Sequence, residues 1–326
     1  MEQPDPSQPA ARVPRQPSRR PLIVAHRGAS TEAPEHTYAA YVAALSAGAD
    51  ALECDVRLTA DGHLVCVHDR RVDRTSNGTG KVSALELARL EELDFGSWHV
   101  SLDVSGGGAS GYGGGANGYG GGANGYGGEG SGYGGAGGNE DAYGEEGEEP
   151  DRDTRGVLTL RRLLDLVAGQ QRRVELAIEV KHPTRYAGRV ERDLVALLDE
   201  YGWAPRRHGT PCPVRVMSFS ASAVRRVRRL APGLNTVFLM EPLVYRARAG
   251  ALPRGVPIAG PSVEILRRSP EAVRRWHRAG HEVHVWTVDE PADFELCLEL
   301  GVDAVITNRP RALLRALSAA SSSPAE

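Results

Sequence analysis

Short apolar runs alternate with helically patterned stretches, and that order constrains the fold more than any other feature of the chain. The runs begin near Leu22, Ala51, Val174, Val214, Asn235, Val256, Glu282 and Asp303. Apolar residues at helical spacing follow over Leu158–Ala168, Arg189–Tyr201, Ala221–Leu230, Pro270–Ala279, Pro291–Leu300 and a last stretch to Leu317. Strand followed by helix, repeated, implies parallel strands, because a parallel pair needs a long crossover that a helix supplies. Eight such units predict a closed (β/α)8 barrel, the TIM barrel, over residues 21–318. An open doubly wound sheet would want a glycine-rich phosphate turn after the first strand, where His26-Arg27-Gly28-Ala29-Ser30 stands instead.

One segment breaks the pattern. Residues 104–150 hold more than half of the chain's 39 glycines, with tyrosines at intervals, no Lys or Arg, and an acidic close. Glycine at that density costs too much backbone entropy to fold, and too few apolar groups offset it. The segment is expected to be a disordered, low-complexity loop within a small insertion after strand 2, at about 70–155. Arg71–Trp98 would form the ordered part of that insertion, over the pocket mouth. Disordered tails are expected at 1–20, where arginines stand among prolines and polar residues, and at 319–326.

The net charge of the 326 residues is −3, and the seven acids of the glycine-rich segment account for more than that, since −3 + 7 = +4 for the rest. A mildly basic folded part suits an anionic small molecule and does not call for a nucleic acid. No apolar run approaches the roughly 20 residues of a transmembrane segment, and residues 1–20 lack the apolar stretch of a secretory signal. The four cysteines are far apart, with no zinc spacing. A cytoplasmic location is the expectation.

Chemistry-bearing residues gather where the strands end. Leu22–Ala25 runs into His26 and Arg27; the second run carries Glu53 and Asp55; Leu64–Val67 ends on His68; the third strand carries Glu179 and Lys181. Side chains alternate along a strand, so Glu53 and Asp55 share a face, as do Glu179 and Lys181. Carboxylates side by side on a buried face repel each other unless a cation sits between them. Ion pairs with Arg27, Lys181 and Arg57 could explain one such acid but not three. Three carboxylates without a thiol make a hard, all-oxygen site that selects Mg²⁺ or Ca²⁺ over zinc. His26 and His68, with ordinary pKa values of about 6.5, can give or take a proton at neutral pH. Arg27 suits a phosphate as a fork and Lys181 as a point charge. Trp286 would wall the pocket, and His284 on the same strand face would fill the barrel. His36, His63, His99, His182, His208, His277 and His281 suggest no partner and are read as surface or loop residues.

Several linked segments, in order, resemble the glycerophosphodiester phosphodiesterase family: AHRGAS and APEHT within 25–37, LECDVRLTADGHLVCVHD (52–69), RTSNGTGKV (74–82), IEVK (178–181), MSF (217–219), VWTVD (285–289) and GVDAVITNRP (301–310). The resemblance covers nearly the whole chain apart from the tail and the glycine-rich segment. It implies a metal-dependent (β/α)8 barrel with Glu53, Asp55 and Glu179 as metal ligands and His26 and His68 as the acid–base pair. It further implies that Arg27, Glu35 and Lys181 contact glycerol phosphate. Two positions depart from the family pattern, which usually has Asn at His36 and commonly Asp at Asn308. As neither is an acid–base or metal position, the departures are expected to bear on substrate fit.

The expected function is hydrolysis of a glycerophosphodiester to glycerol 3-phosphate and an alcohol. A divalent metal and one proton transfer at each histidine would drive it. The nucleophile is water, or the glycerol 2-hydroxyl by way of a cyclic phosphate, which the resemblance favours. The rivals are lysophospholipase D-type cleavage, which would want an apolar mouth, and a non-catalytic phosphate-binding protein. No organic cofactor is required.

Overall fold

The protein was analysed as a computed structural model that describes residues 20–99, 151–182, 184, 186–241, 247 and 249–322. Of the segments expected to be disordered, 1–20, 104–150 and 319–326, residues 1–19, 104–150 and 323–326 lie outside the described residues. No helix among the described residues is long and apolar enough to cross a membrane.

Nine strands among the described residues form one sheet: β1 Leu22–His26, β2 Ala51–Leu58, β3 Leu64–Cys66, β4 Glu175–Val180, β5 Val214–Ser218, β6 Asn235–Met240, β7 Ile258–Pro261, β8 Glu282–Val285 and β9 Ala304–Thr307. Eight of them pair in parallel in the order β1-β9-β8-β7-β6-β5-β4-β2, and β1 also pairs with β2, which closes the barrel. The short β3 lies antiparallel on β2, with Val56 opposite Cys66. All eight expected barrel strands are present. The strand expected over Glu282–Val288 is β8, which ends at Val285; beyond it Trp286 keeps only an isolated parallel bridge to Ser262, and its indole N–H donates to the Gly260 carbonyl, 2.8 Å away.

The helices bounded among the described residues are α1 Tyr38–Ala47, α2 Leu87–Glu91, α3 Arg152–Arg155, α4 Leu160–Ala168, α5 Arg189–Glu200, α6 Ala221–Leu230, α7 Val263–Arg268, α8 Glu271–Arg278, α9 Pro291–Leu300 and α10 Pro310–Ser322. The last runs beyond the boundary expected at 318. Hydroxyl caps start α1, α4 and α6: Thr37, Thr159 and Ser220 accept from the N–H of Ala40, Arg162 and Ala223.

Period-2 alternation sorts each strand into two faces. On β2 the even residues Leu52, Cys54 and Val56 pack outward with Leu163, Leu164 and Leu194 of the helical layer. The odd positions face inward, where Val24, Ala51, Ala177, Met217, Val237, Ile258, Ala304 and Ile306 fill the barrel's waist. Beneath the waist, Arg215 is ion-paired with Glu175 and lies 3.3 Å from His284, which fills the barrel as expected. Above it the odd residues of β2 are Glu53 and Asp55. A smaller cluster of Val65, Val67, Val72, Val82, Leu90, Leu93 and Phe95 supports residues 70–95, which carry a 3₁₀ turn at Val82–Ala84 and α2.

Candidate active site

Parallel register assembles the acidic cluster. Asp55 on β2 stands beside Glu179 on β4, and Glu53 stands beside His26 on β1, level with the carboxyl ends of β4 and β1. Paired residues of neighbouring strands face the same way, so this register turns three acids and a histidine to the barrel mouth. Glu53, Asp55 and Glu179 are buried, and each offers an oxygen within 4.8 Å of the others.

Their surroundings do not neutralise them. Lys181 Nζ lies 2.9 Å from Glu179 and 3.3 Å from Asp55, and Arg27 Nε lies 3.3 Å from Asp55. Glu53 receives the backbone N–H of Arg27 at 3.0 Å; among the described residues its one side-chain ion partner is His26, at 4.0 Å. Arg57, a conceivable counter-ion, instead donates to the His68 carbonyl at 3.0 and 2.6 Å. Burial, and then the nearby Asp55 charge, push the Glu179 carboxyl up to about 7 and Glu53 well above its usual range. Burial would raise Asp55 too, but Lys181, the His36 hydrogen bond and Arg27 hold it well below the usual carboxylate range. Three buried carboxylates facing only two full cations, Lys181 and Arg27, fit a hard divalent ion, and an all-oxygen donor set is the chemistry of Mg²⁺ or Ca²⁺.

The two histidines have different supports. Asn308 Nδ2 donates to Asp289 Oδ2 at 2.6 Å and its backbone N–H to Asp289 Oδ1 at 2.8 Å, so its carboxamide oxygen must face His26. That oxygen lies 2.7 Å from His26 Nδ1. A carboxamide oxygen only accepts, so Nδ1 carries the proton and Nε2 keeps its lone pair. Burial, then the Arg27 charge, push the His26 imidazole down to about 3. His68 Nδ1 lies 2.7 Å from Asp69 Oδ1, and its Nε2 is likewise left toward the site. Burial lowers His68 as well, with the Asp69 bond acting against it.

Beside these groups runs an ion network that spacing in the sequence did not reveal. Arg27 Nη1 donates to Glu35 at 3.1 Å; Arg74 donates to both oxygens of Glu35, at 2.6 and 3.0 Å, and to Asp69 at 2.6 Å. Burial would raise Glu35, but the Arg74 bonds and the Arg27 charge bring it down to about 2. Arg27, Glu35, Arg74, Asp69 and His68 thus form one continuous chain. Trp286 stands half-buried at the mouth, edge-on to Phe219 with ring centroids 5.4 Å apart.

His36 was read as a surface or loop residue, and the structure corrects this. It is buried, with Nε2 2.9 Å from Asp55 Oδ2 and Nδ1 2.9 Å from the Tyr41 hydroxyl. His182 and His277 also have partners, Glu191 at 3.2 Å and Asp303 at 3.1 Å. Both departures from the family pattern lie against the candidate site. His36 is one hydrogen bond from an acid of the cluster, and Asn308 one from His26.

Comparison with known proteins agrees with this geometry. The profile of the glycerophosphoryl diester phosphodiesterase family matches residues 26–312. A protein of Mycobacterium tuberculosis named as a probable glycerophosphodiester phosphodiesterase 1 is 41% identical over 290 residues, covering 89% of this chain and 90% of that one. A glycerophosphodiester phosphodiesterase of Bacillus subtilis is 32% identical, covering 89% of this chain and 84% of its own. Among solved structures, a glycerophosphodiester phosphodiesterase of Agrobacterium tumefaciens superposes with a TM-score of 0.62 at 25% identity, over 91% of this chain and all of that one. A phosphodiesterase of Oleispira antarctica, solved with the product sn-glycerol-3-phosphate, gives 0.64 at 20% identity, over 91% of this chain and 97% of that one.

Proposed function

Because this chain belongs to the glycerophosphoryl diester phosphodiesterase family, whose members hydrolyse glycerophosphodiesters, we propose that its barrel mouth releases glycerol 3-phosphate and an alcohol with Glu53, Asp55 and Glu179 holding a divalent cation and His26 and His68 moving the protons. The observation that carries this is the packing of three buried acids, under-neutralised by the cations beside them, next to two histidines that are each anchored through Nδ1. When bound, Mg²⁺ or Ca²⁺ supplies Lewis-acid charge that offsets the phosphoryl oxygens and the acids together. Binding of sn-glycerol-3-phosphate by the Oleispira antarctica protein supports the same product here.

The residues of the chain divide the remaining work. Arg27, with its fork already oriented by Glu35, and Lys181 meet the phosphoryl oxygens, while Glu35 and Trp286 bound the space for glycerol. An imidazolium at His68 is paired with the Asp69 carboxylate, whereas one at His26 would face a neutral carboxamide and the Arg27 guanidinium. His26 Nε2 therefore takes the proton of the attacking hydroxyl, and His68 Nε2 returns one to the departing alkoxide.

The experiment is release of glycerol 3-phosphate from glycerophosphocholine and glycerophosphoethanolamine, with EDTA and then with Mg²⁺ or Ca²⁺ restored. Metal-dependent release is expected. Release undiminished by EDTA would overturn the role of the acids, and no release by folded, metal-supplied protein would overturn the hydrolysis itself.

A further inference from the structure

Granted the hydrolysis proposed above, we infer that the alcohol released from the glycerophosphodiester is itself anionic, its charge held by Arg57 and Arg70 in a cleft beside the acidic cluster. The cleft lies between the end of β2, residues 70–83 and the start of the segment after β4. Arg57, Arg70 and Lys181 line it, with Ser83, Thr184 and Tyr186 as the hydroxyl-bearing wall. Lys181 belongs also to the acidic cluster, at 2.9 Å from Glu179, so one residue borders both the cleft and the place where the phosphodiester would sit.

The charges in this cleft are not spent within the protein. Arg57 is largely buried, and its two hydrogen bonds go to one neutral carbonyl, that of His68. The carboxylates that act on it from a distance are Asp55, Asp69 and Glu179. Each has a nearer cation: Asp55 has Arg27 and Lys181, Asp69 has Arg74, and Glu179 has Lys181. Arg70 is exposed at the rim, and among the described residues no ion pair engages it or Arg57. Burying a guanidinium without a counter-ion is costly, and an anionic ligand removes that cost. A neutral or cationic alcohol would leave it standing. Tyr186 stiffens the wall: its hydroxyl donates to the Ser83 carbonyl at 2.9 Å and lies 3.3 Å from that of Thr59, tying the segment after β4 to the turns after β2 and β3. A phosphate monoester on the alcohol suits this arrangement, since two guanidinium groups and neighbouring hydroxyls can meet its oxygens together.

The test compares two substrates that differ only in that charge, glycerophosphoinositol and glycerophosphoinositol 4-phosphate, read as glycerol 3-phosphate released by the full chain with Mg²⁺ or Ca²⁺. The phosphate-bearing substrate is expected to have a kcat/KM at least about tenfold higher, the size of one charge-assisted hydrogen bond. Because Arg57 also holds the His68 carbonyl, Arg70→Gln carries the variant arm, and it should shrink that ratio severalfold, mainly through KM. A ratio near one, or a ratio that Arg70→Gln leaves unchanged, overturns the anionic cleft while the hydrolysis stands. No release from either inositol substrate by protein that hydrolyses glycerophosphocholine overturns the cleft alone, and no release from all three overturns the hydrolysis and the cleft with it.

Discussion

The backbone N–H of His36 donates to the carbonyl of Arg27 at 3.0 Å, and both residues hold left-handed backbone, at φ 62° and 58°. Neither is glycine, so both conformations carry a cost. What the pairing secures is a single target. Arg27 Nε and His36 Nε2 approach the same oxygen of Asp55, at 3.3 and 2.9 Å.

His36 is therefore expected to act through Asp55. His36→Leu should weaken metal activation by roughly 10- to 100-fold, the usual cost of removing a hydrogen bond to a ligand residue. His36→Asn keeps a donor and tolerates the left-handed backbone, so its loss should be several times smaller. Activity titrated against Mg²⁺ separates the two; equal loss in both variants would remove Asp55 from the account.

Asp69→Asn leaves a hydrogen-bond acceptor beside His68 but removes the charge that supports its imidazolium. Turnover of a glycerophosphodiester with a poor leaving alcohol should fall by about 10²-fold. With a nitrophenyl leaving group, which needs no proton, the loss should be far smaller. An equal loss on both substrates would take the acid's part away from His68.

Gly28→Ala should fail for steric reasons. The residue sits at φ 86°, and a Cβ there would lie 2.6 Å from the Ala40 backbone carbonyl carbon, in α1. The Ala29 N–H also bonds the Ala40 carbonyl at 2.9 Å, so the turn cannot retreat without giving up that bond. A destabilisation of about 2 kcal/mol or more is expected from chemical unfolding; a variant of near-normal stability would mean that α1 yields easily.

Glu191 sets a pH dependence away from the site. It is fully buried on α5, bonded by Arg226 at 2.6 and 3.0 Å and near His182 at 3.2 Å. Burial would raise its carboxyl, yet the His182 and Arg226 bonds bring it down to about 2. A folded-state value below the unfolded one means stability that is complete above the ordinary carboxyl range and lost as pH falls toward 2. Between pH 7 and pH 3 the advantage of wild type over Glu191→Gln in unfolding free energy should shrink by roughly 2 kcal/mol. A constant difference across that range would show that Glu191 contributes by shape alone.

The barrel was legible because its signals are local. Apolar runs, their lengths and the helical spacing between them are properties of a dozen residues at a time, and the i, i+2 acids of β2 declare their common face. The end of β8 was not legible, since Trp286 and Val288 continue the apolar run after the regular ladder has given way to an isolated bridge and a single backbone bond. His36, Arg74 and Asn308 were missed for another reason. Each lies in irregular chain, and each acquires its partner through closure: His36 meets Asp55, Arg74 meets Glu35 and Asp69, and Asn308 meets His26. No periodicity announces such pairs. The one available signal was departure from the family pattern, at His36 and Asn308, and it pointed to two positions that the structure places against Asp55 and His26.

Pairing of β1 with β9, Leu22 beside Ala304, means that the first strand made is completed by the last. A ribosome will have delivered His26, Glu53, Asp55, His68 and Glu179 well before it reaches Asn308. Until then β1 and β8 are open edges, able to recruit strands from other chains, and His26 has no partner to fix its tautomer. Chains stalled short of residue 304 should therefore be prone to aggregate and inert as well, so that addition of β9 and onset of activity become a single event.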